Sequence, residues 1–148
     1  MGVGNPILGD DGVGIYVAKK VEALVGQKPG LHVKTASTGG LRLLEEMFGY
    51  DRVILVDGIV SDGNVGRTRK LSPADFSDTL HYSSAHDLNF ATALEMGESI
   101  SPDEMPSQIE IYTVEIQRTT MFSEGLSPAV KEAADRLSQE ISESLKQQ

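Results

Sequence analysis

The stretch "RVILVDG" (residues 52–58) decides the architecture. Val53 to Val56 is apolar without alternation, so a strand here must be covered on both faces. That is the pattern of a central strand in a parallel sheet. Parallel strands need crossover connections, most often helices, and the flanking sequence supplies them. Upstream, Val13, Val17, Val21 and Leu24 recur at helical spacing over about 11–25. "LHVKTAS" (31–37) alternates like a short strand, and Thr38 offers an N-cap to a helix carrying Leu41, Leu44 and Met47 or Phe48. Downstream, "SDGN" (61–64) is turn chemistry and "VGRTRKL" (65–71) is a more polar strand suited to an edge.

Residues 72–83 read as an irregular loop. Ser84 with Asp87 three residues later predicts a capped helix running to about Met96. "SQIEIYTVEI" (107–116) is β-rich, and Ser127-Pro128 opens a last helix burying Val130, Ala133 or Ala134, Leu137, Ile141 and Leu145. Helix and strand alternate throughout. The expected fold is α/β: a three-layer sandwich with a mostly parallel twisted sheet between helices, built as one domain over 1–148.

Composition narrows the chemistry. Of 148 residues 39% are hydrophobic, enough for one core without metal staples. No run approaches the roughly 18 apolar residues of a membrane span, and no secretory leader pattern is visible. Thirteen basic residues against 22 acidic ones give a net charge of −9, which disfavours a nucleic-acid partner. There is no cysteine. Thiolate nucleophiles and Cys-based metal centres are therefore excluded, and a cytoplasmic location is expected. A metal would have to use oxygen and imidazole, the latter from His32, His81 or His86.

Three positions carry chemistry. "GVGNPILGDDGVG" (2–14) is glycine-rich, yet its two adjacent carboxylates, Asp10 and Asp11, would repel a phosphate; a cation is the more natural guest. A dinucleotide fingerprint fails because Ile7 stands where the third glycine is needed. The plain alternative is that Asp10 or Asp11 caps the helix that follows. Asp57 closes the apolar strand, where parallel sheets gather ligands, although a turn-forming Asp would look the same. His86 opens a helix whose positive end favours neutral imidazole, with His81 in the preceding loop as its rival; His32 reads as structural or surface. Two oxygens and one imidazole make an open shell.

Together "GVGNPILGDDGVG", "VILVDGIV" (53–60) and "SSAHDL" (83–88) resemble, in order and spacing over most of the chain, the hydrogenase maturation proteases. These endopeptidases trim the C-terminal extension of the large subunit of nickel–iron hydrogenases. The resemblance implies Asp11, Asp57 and His86 (rather than His81) as metal-binding residues. It also implies Thr38, Gly39 and Gly40 as a turn lining the cleft for the extension peptide. The nickel would be supplied by the precursor, and the isolated protein would bind another divalent transition metal only weakly. Metal-assisted hydrolysis without a covalent intermediate is expected, with Asp11 or Asp57 as general base. The partner would be the large-subunit precursor, and the protein a monomer.

Two departures stand out. Thr35 replaces an Asp found in many members, and only Met1 precedes the loop where members carry an apolar strand. The first strand thus reads as truncated, with the natural protein expected to begin upstream. Two other functions compete: a non-cleaving, metal-dependent binding module for a metalloenzyme precursor, and a serine hydrolase using Ser84 or Ser83 with His86 and Asp57. No G-x-S-x-G elbow supports the latter.

Overall fold

Strand β3 (Arg52–Val60) is the centre of the sheet, as its unbroken apolar run predicts. The computed structural model describes residues 1–37, 40–60, 63–78, 87–118 and 121–147. Around β3 lie β1 (Gly2–Val3), β2 (Thr35–Ala36), β4 (Thr68–Leu71) and β5 (Gln108–Ile116), in the order β2-β1-β3-β5-β4. All pairings are parallel except that of β4 with β5, so the polar "TRKL" segment does form the edge. The helices are α1 (Val13–Val25), α2 (Leu41–Glu45), α3 (Pro73–Asp78), α4 (Asp87–Ile100) and α5 (Pro128–Lys146).

Strand parity sorts the core into two layers. Even residues of β3 and β5 (Val56, Tyr112, Val114, Ile116) meet Val13, Val17 and Val21 of α1 and Val130, Leu137 and Ile141 of α5. Odd residues (Val53, Leu55, Ile111) meet Leu43, Leu44, Met47 and, from α4, Phe90 and Leu94. This is the expected three-layer sandwich. The two outer helices of the first layer are cross-linked, since Tyr16 Oη and Lys20 Nζ both donate to Asp135 Oδ1, at 2.7 and 2.6 Å. On that same face Arg52 and Lys70 clasp the buried Glu110 at 2.6 Å each, joining β3, β5 and β4. Burial alone would raise the Glu110 carboxyl, but hydrogen bonds from Lys70 and Arg52 outweigh it and hold the group below its usual range.

Several expectations need correction. The first strand is not absent: Gly2–Val3 occupies the slot between β2 and β3, though over two residues only. Met1 extends its ladder, accepting from Val56 N at 2.9 Å and donating its ammonium to Ile54 O at 2.6 Å. The strand read over 31–37 shrinks to Thr35–Ala36. The 72–83 loop contains α3, signalled by Ser72-Pro73 with Asp75 three residues on; Ser72 N and Oγ both donate to Asp75 Oδ2. Helix α2 starts after Gly40, whose φ is +74°, and α4 continues four residues beyond Met96. Leu24 is 41% exposed and lies off the buried stripe. No helix among the described residues is long and apolar enough to cross a membrane.

Candidate active site at the carboxyl rim

Strands β1 and β3 point their carboxyl ends at the same rim, where α/β sheets assemble their sites. Directly after β1 the chain turns at Gly4, with φ +145°, in the region that favours glycine. A Cβ at Gly4 would sit 2.0 Å from the carbonyl oxygen of Asp11, so only glycine lets the returning loop lie this close. Asn5 N then donates both to that carbonyl, at 3.2 Å, and to Asp11 Oδ2, at 3.0 Å. Asn5 Oδ1 accepts in turn from Ile7 N at 3.2 Å. Backbone and side chain of Asp11 are thus pinned to the residues that leave β1. The carboxylate itself remains half-buried.

The two adjacent aspartates divide their work. Asp10 turns away and accepts from Ser127 N at 2.6 Å and Ser127 Oγ at 2.8 Å, fixing the start of α5. Neither residue caps the following helix. Both lie in a 3-10 turn, Gly9–Gly12, and Gly12 holds the N-cap position of α1 without a side-chain bond. The cap expected there is therefore replaced by a tie to the other end of the chain.

Asp57 lies within β3 rather than at its end, since pairing with β5 continues to Val60. Its position at the rim comes from the other side: β1 pairs with Val56 through Gly2, then departs at Gly4. Asp57 is 6% exposed, and its Oδ1 accepts from Gly58 N at 2.8 Å, the local bond expected of a turn-type Asp. Asp11, in the turn that follows β1, and Asp57, on the neighbouring β3, therefore stand at one rim. His86 and His81, with Ser83, Ser84, Thr38 and Gly39, lie outside the described residues. Gly40 is buried, and its carbonyl accepts from Leu43 N and Leu44 N, opening α2. Among the described residues no three His, Cys, Asp or Glu side chains converge as a metal shell. The acidic oxygens of Asp11 and Asp57 are still the donor type that suits a divalent cation.

The family description "Hydrogenase maturation protease" matches residues 15–144. The chain belongs to the hydrogenase maturation protease family. Hydrogenase 2 maturation protease of Escherichia coli is 29% identical over 99 residues, which is 64% of this chain and 58% of that protein. The aligned segment thus spans under two thirds of the curated relative. The E. coli hydrogenase maturating endopeptidase HybD superposes with a TM-score of 0.78 at 25% identity, covering 99% of this chain and 90% of that one. The [NiFe] hydrogenase maturation protease HycI of Thermococcus kodakarensis gives 0.69 at 25% identity, covering 98% and 89%. Like these family folds, the chain has its five-stranded sheet between helix layers.

Sequence reading overlooked one polar row beside Asp57. Thr113 is the register partner of Asp57 on β5, and Glu115 follows on the same face. Both are fully buried. Arg69 on the edge strand donates Nε and Nη2 to Glu115 Oε1, at 3.0 and 2.8 Å. The signal was present in "IEIYTVEI": alternation that packs Ile109 and Ile111 against one core layer carries Thr113 and Glu115 into the same layer.

Proposed function

We propose that the protein is an endopeptidase that removes the C-terminal extension of a nickel-loaded hydrogenase large-subunit precursor. The observation that carries this reading is the pair of carboxylates at the carboxyl rim, Asp11 in the turn that follows β1 and Asp57 on the neighbouring β3. Family membership supplies the class of reaction. The nickel belongs to the substrate, held by the precursor. Asp11 and Asp57 offer it oxygen ligands, and His86 completes the set that the family resemblance implies. A cation so placed polarises the scissile carbonyl and acidifies a nearby water.

The protein's own share of the work is orientation and proton handling. The Gly4–Asn5 turn holds Asp11 against the departing strand, and the Gly58 amide orients Asp57. One of the two carboxylates takes the proton from the attacking water and returns it to the leaving amine as the C–N bond breaks. No covalent intermediate is involved. For the extension peptide the family resemblance implies Thr38, Gly39 and Gly40 as the contacting turn. A chain without cysteine brings no thiolate to compete for the precursor's nickel. The protein acts as a monomer in the cytoplasm.

Incubation with nickel-loaded precursor, followed by mass measurement, should yield a shortened large subunit and a released peptide. Nickel-free precursor should stay intact. Asp57→Asn should lower cleavage about 10²–10⁴-fold, the usual worth of a positioned acid–base group. A precursor that binds but keeps its mass identifies a non-cleaving module and refutes the endopeptidase.

A further inference from the structure

Two atoms in the Asp57 layer are shut off from solvent yet have no hydrogen-bond partner among the described residues: Thr113 Oγ1 and Glu115 Oε2. Buried polar groups are satisfied in the great majority of cases, and leaving one bare costs stability. Two such atoms on neighbouring side chains of one strand mark a place kept for something other than the resting fold. Their position says what. Thr113 lies directly across from Asp57 in the β3–β5 ladder, one strand spacing of about 4.8 Å away and on the same face. Glu115 is anchored through its other oxygen to Arg69 and cannot swing aside.

The chemistry of the row singles out one member. A carboxylate only accepts hydrogen bonds, whereas a threonine hydroxyl both donates and accepts. Of these three side chains, Thr113 alone has a proton to share. We propose that Thr113 is a positioning residue for Asp57. Its hydroxyl donates to the Asp57 carboxyl when precursor is docked, fixing that group's orientation for the reaction, with the Arg69–Glu115 pair as a rigid back wall. The idea rests on the endopeptidase reading above and adds to it a residue that touches neither substrate nor metal.

The test compares Thr113→Val, which keeps the shape and removes the hydroxyl, with Thr113→Ser, which keeps the hydroxyl. Each full-length protein is assayed for cleavage of nickel-loaded precursor and for its urea midpoint. Thr113→Val should unfold at the same urea concentration or a higher one, because its hydroxyl makes no hydrogen bond among the described residues. Its kcat should fall about ten- to a hundredfold, the usual effect of removing the partner that orients a ligand group, with KM unchanged. Thr113→Ser should recover most of the rate. A Thr113→Val enzyme with the wild-type kcat overturns the proposal and leaves the endopeptidase standing. A lowered urea midpoint in Thr113→Val also overturns it, by showing that the hydroxyl is a structural bond. A wild-type chain that leaves the precursor intact refutes the endopeptidase itself, and the positioning role with it.

Discussion

Gly14→Ala should destabilise the protein by at least about 3 kcal/mol, enough to remove much of a small domain's stability. In an ordinary helix interior the same change is favourable by about 0.5–1 kcal/mol, because glycine is the more costly residue to order. The sign reverses here because of where α1 lies. A Cβ on Gly14 would fall 2.3 Å from the carbonyl oxygen of Val3 and equally 2.3 Å from that of Val56. Both contacts are with backbone, on the two strands that form the centre of the sheet, so no side chain can rotate away. Relief requires lifting α1 off β1 and β3, which opens the contacts that Val13, Val17 and Val21 make beneath it. Urea denaturation gives the answer: a midpoint at or above that of the wild type would mean that the helix does not ride this low on the sheet.

Arg69→Met should cost about 3–5 kcal/mol, the penalty for stranding a buried charge. Glu115 is fully buried, and the Arg69 guanidinium is its neutralising partner among the described residues. The backbone on both sides of the pair is fixed: Gly66 N donates to Glu115 O and Glu115 N to Arg67 O, both at 2.8 Å. The carboxylate therefore cannot escape to water without breaking the β4–β5 edge. Removing both charges is another matter, since well-packed apolar replacements of a buried pair are often neutral or better. Arg69→Met with Glu115→Met should thus regain most of the loss. A double-mutant cycle read by denaturation measures the coupling. A single Arg69→Met variant within about 1 kcal/mol of wild type would show that water reaches Glu115.

Legibility in the sequence followed length and pattern. β3, β5, α1 and α5 each carry enough apolar residues in pattern to declare their type, while the two layers into which strand parity sorts the core emerge only from the packing. Short elements escaped. β1 is two residues long and holds its place by pairing on both sides, a tertiary fact that no local pattern encodes. α3 was passed over although its serine, proline and aspartate spell a helix start, because one turn of apolar residues is too little for a periodicity reading. At the site, a glycine loop ending in carboxylates drew attention to Asp10 and Asp11 as a pair. It could not say that Asp10 serves Ser127, a residue 117 positions away. Asp57 was expected to close its strand; it lies inside β3, and it reaches the rim because β1 departs beside it. Thr113 and Glu115 stayed hidden because polar residues in a strand read as solvent-facing until the neighbouring helix is known to cover them.

The bond from Ser127 to Asp10 has a consequence for the order of assembly. It joins the turn that carries Asp11 to the first residue before α5, so one of the earliest-synthesised segments is anchored by one of the latest. Tyr16 and Lys20 repeat the arrangement on Asp135, across separations of 119 and 115 residues. Contacts of such long range are the slow part of folding, because the intervening chain must be closed into a loop before they return any energy. A ribosome-bound chain can build β3 and its neighbours and hold Asp11 through Asn5, yet the tie from Asp10 to Ser127 forms only once the start of α5 has been synthesised. A chain without α5 thus keeps its carboxylate turn by local bonds alone.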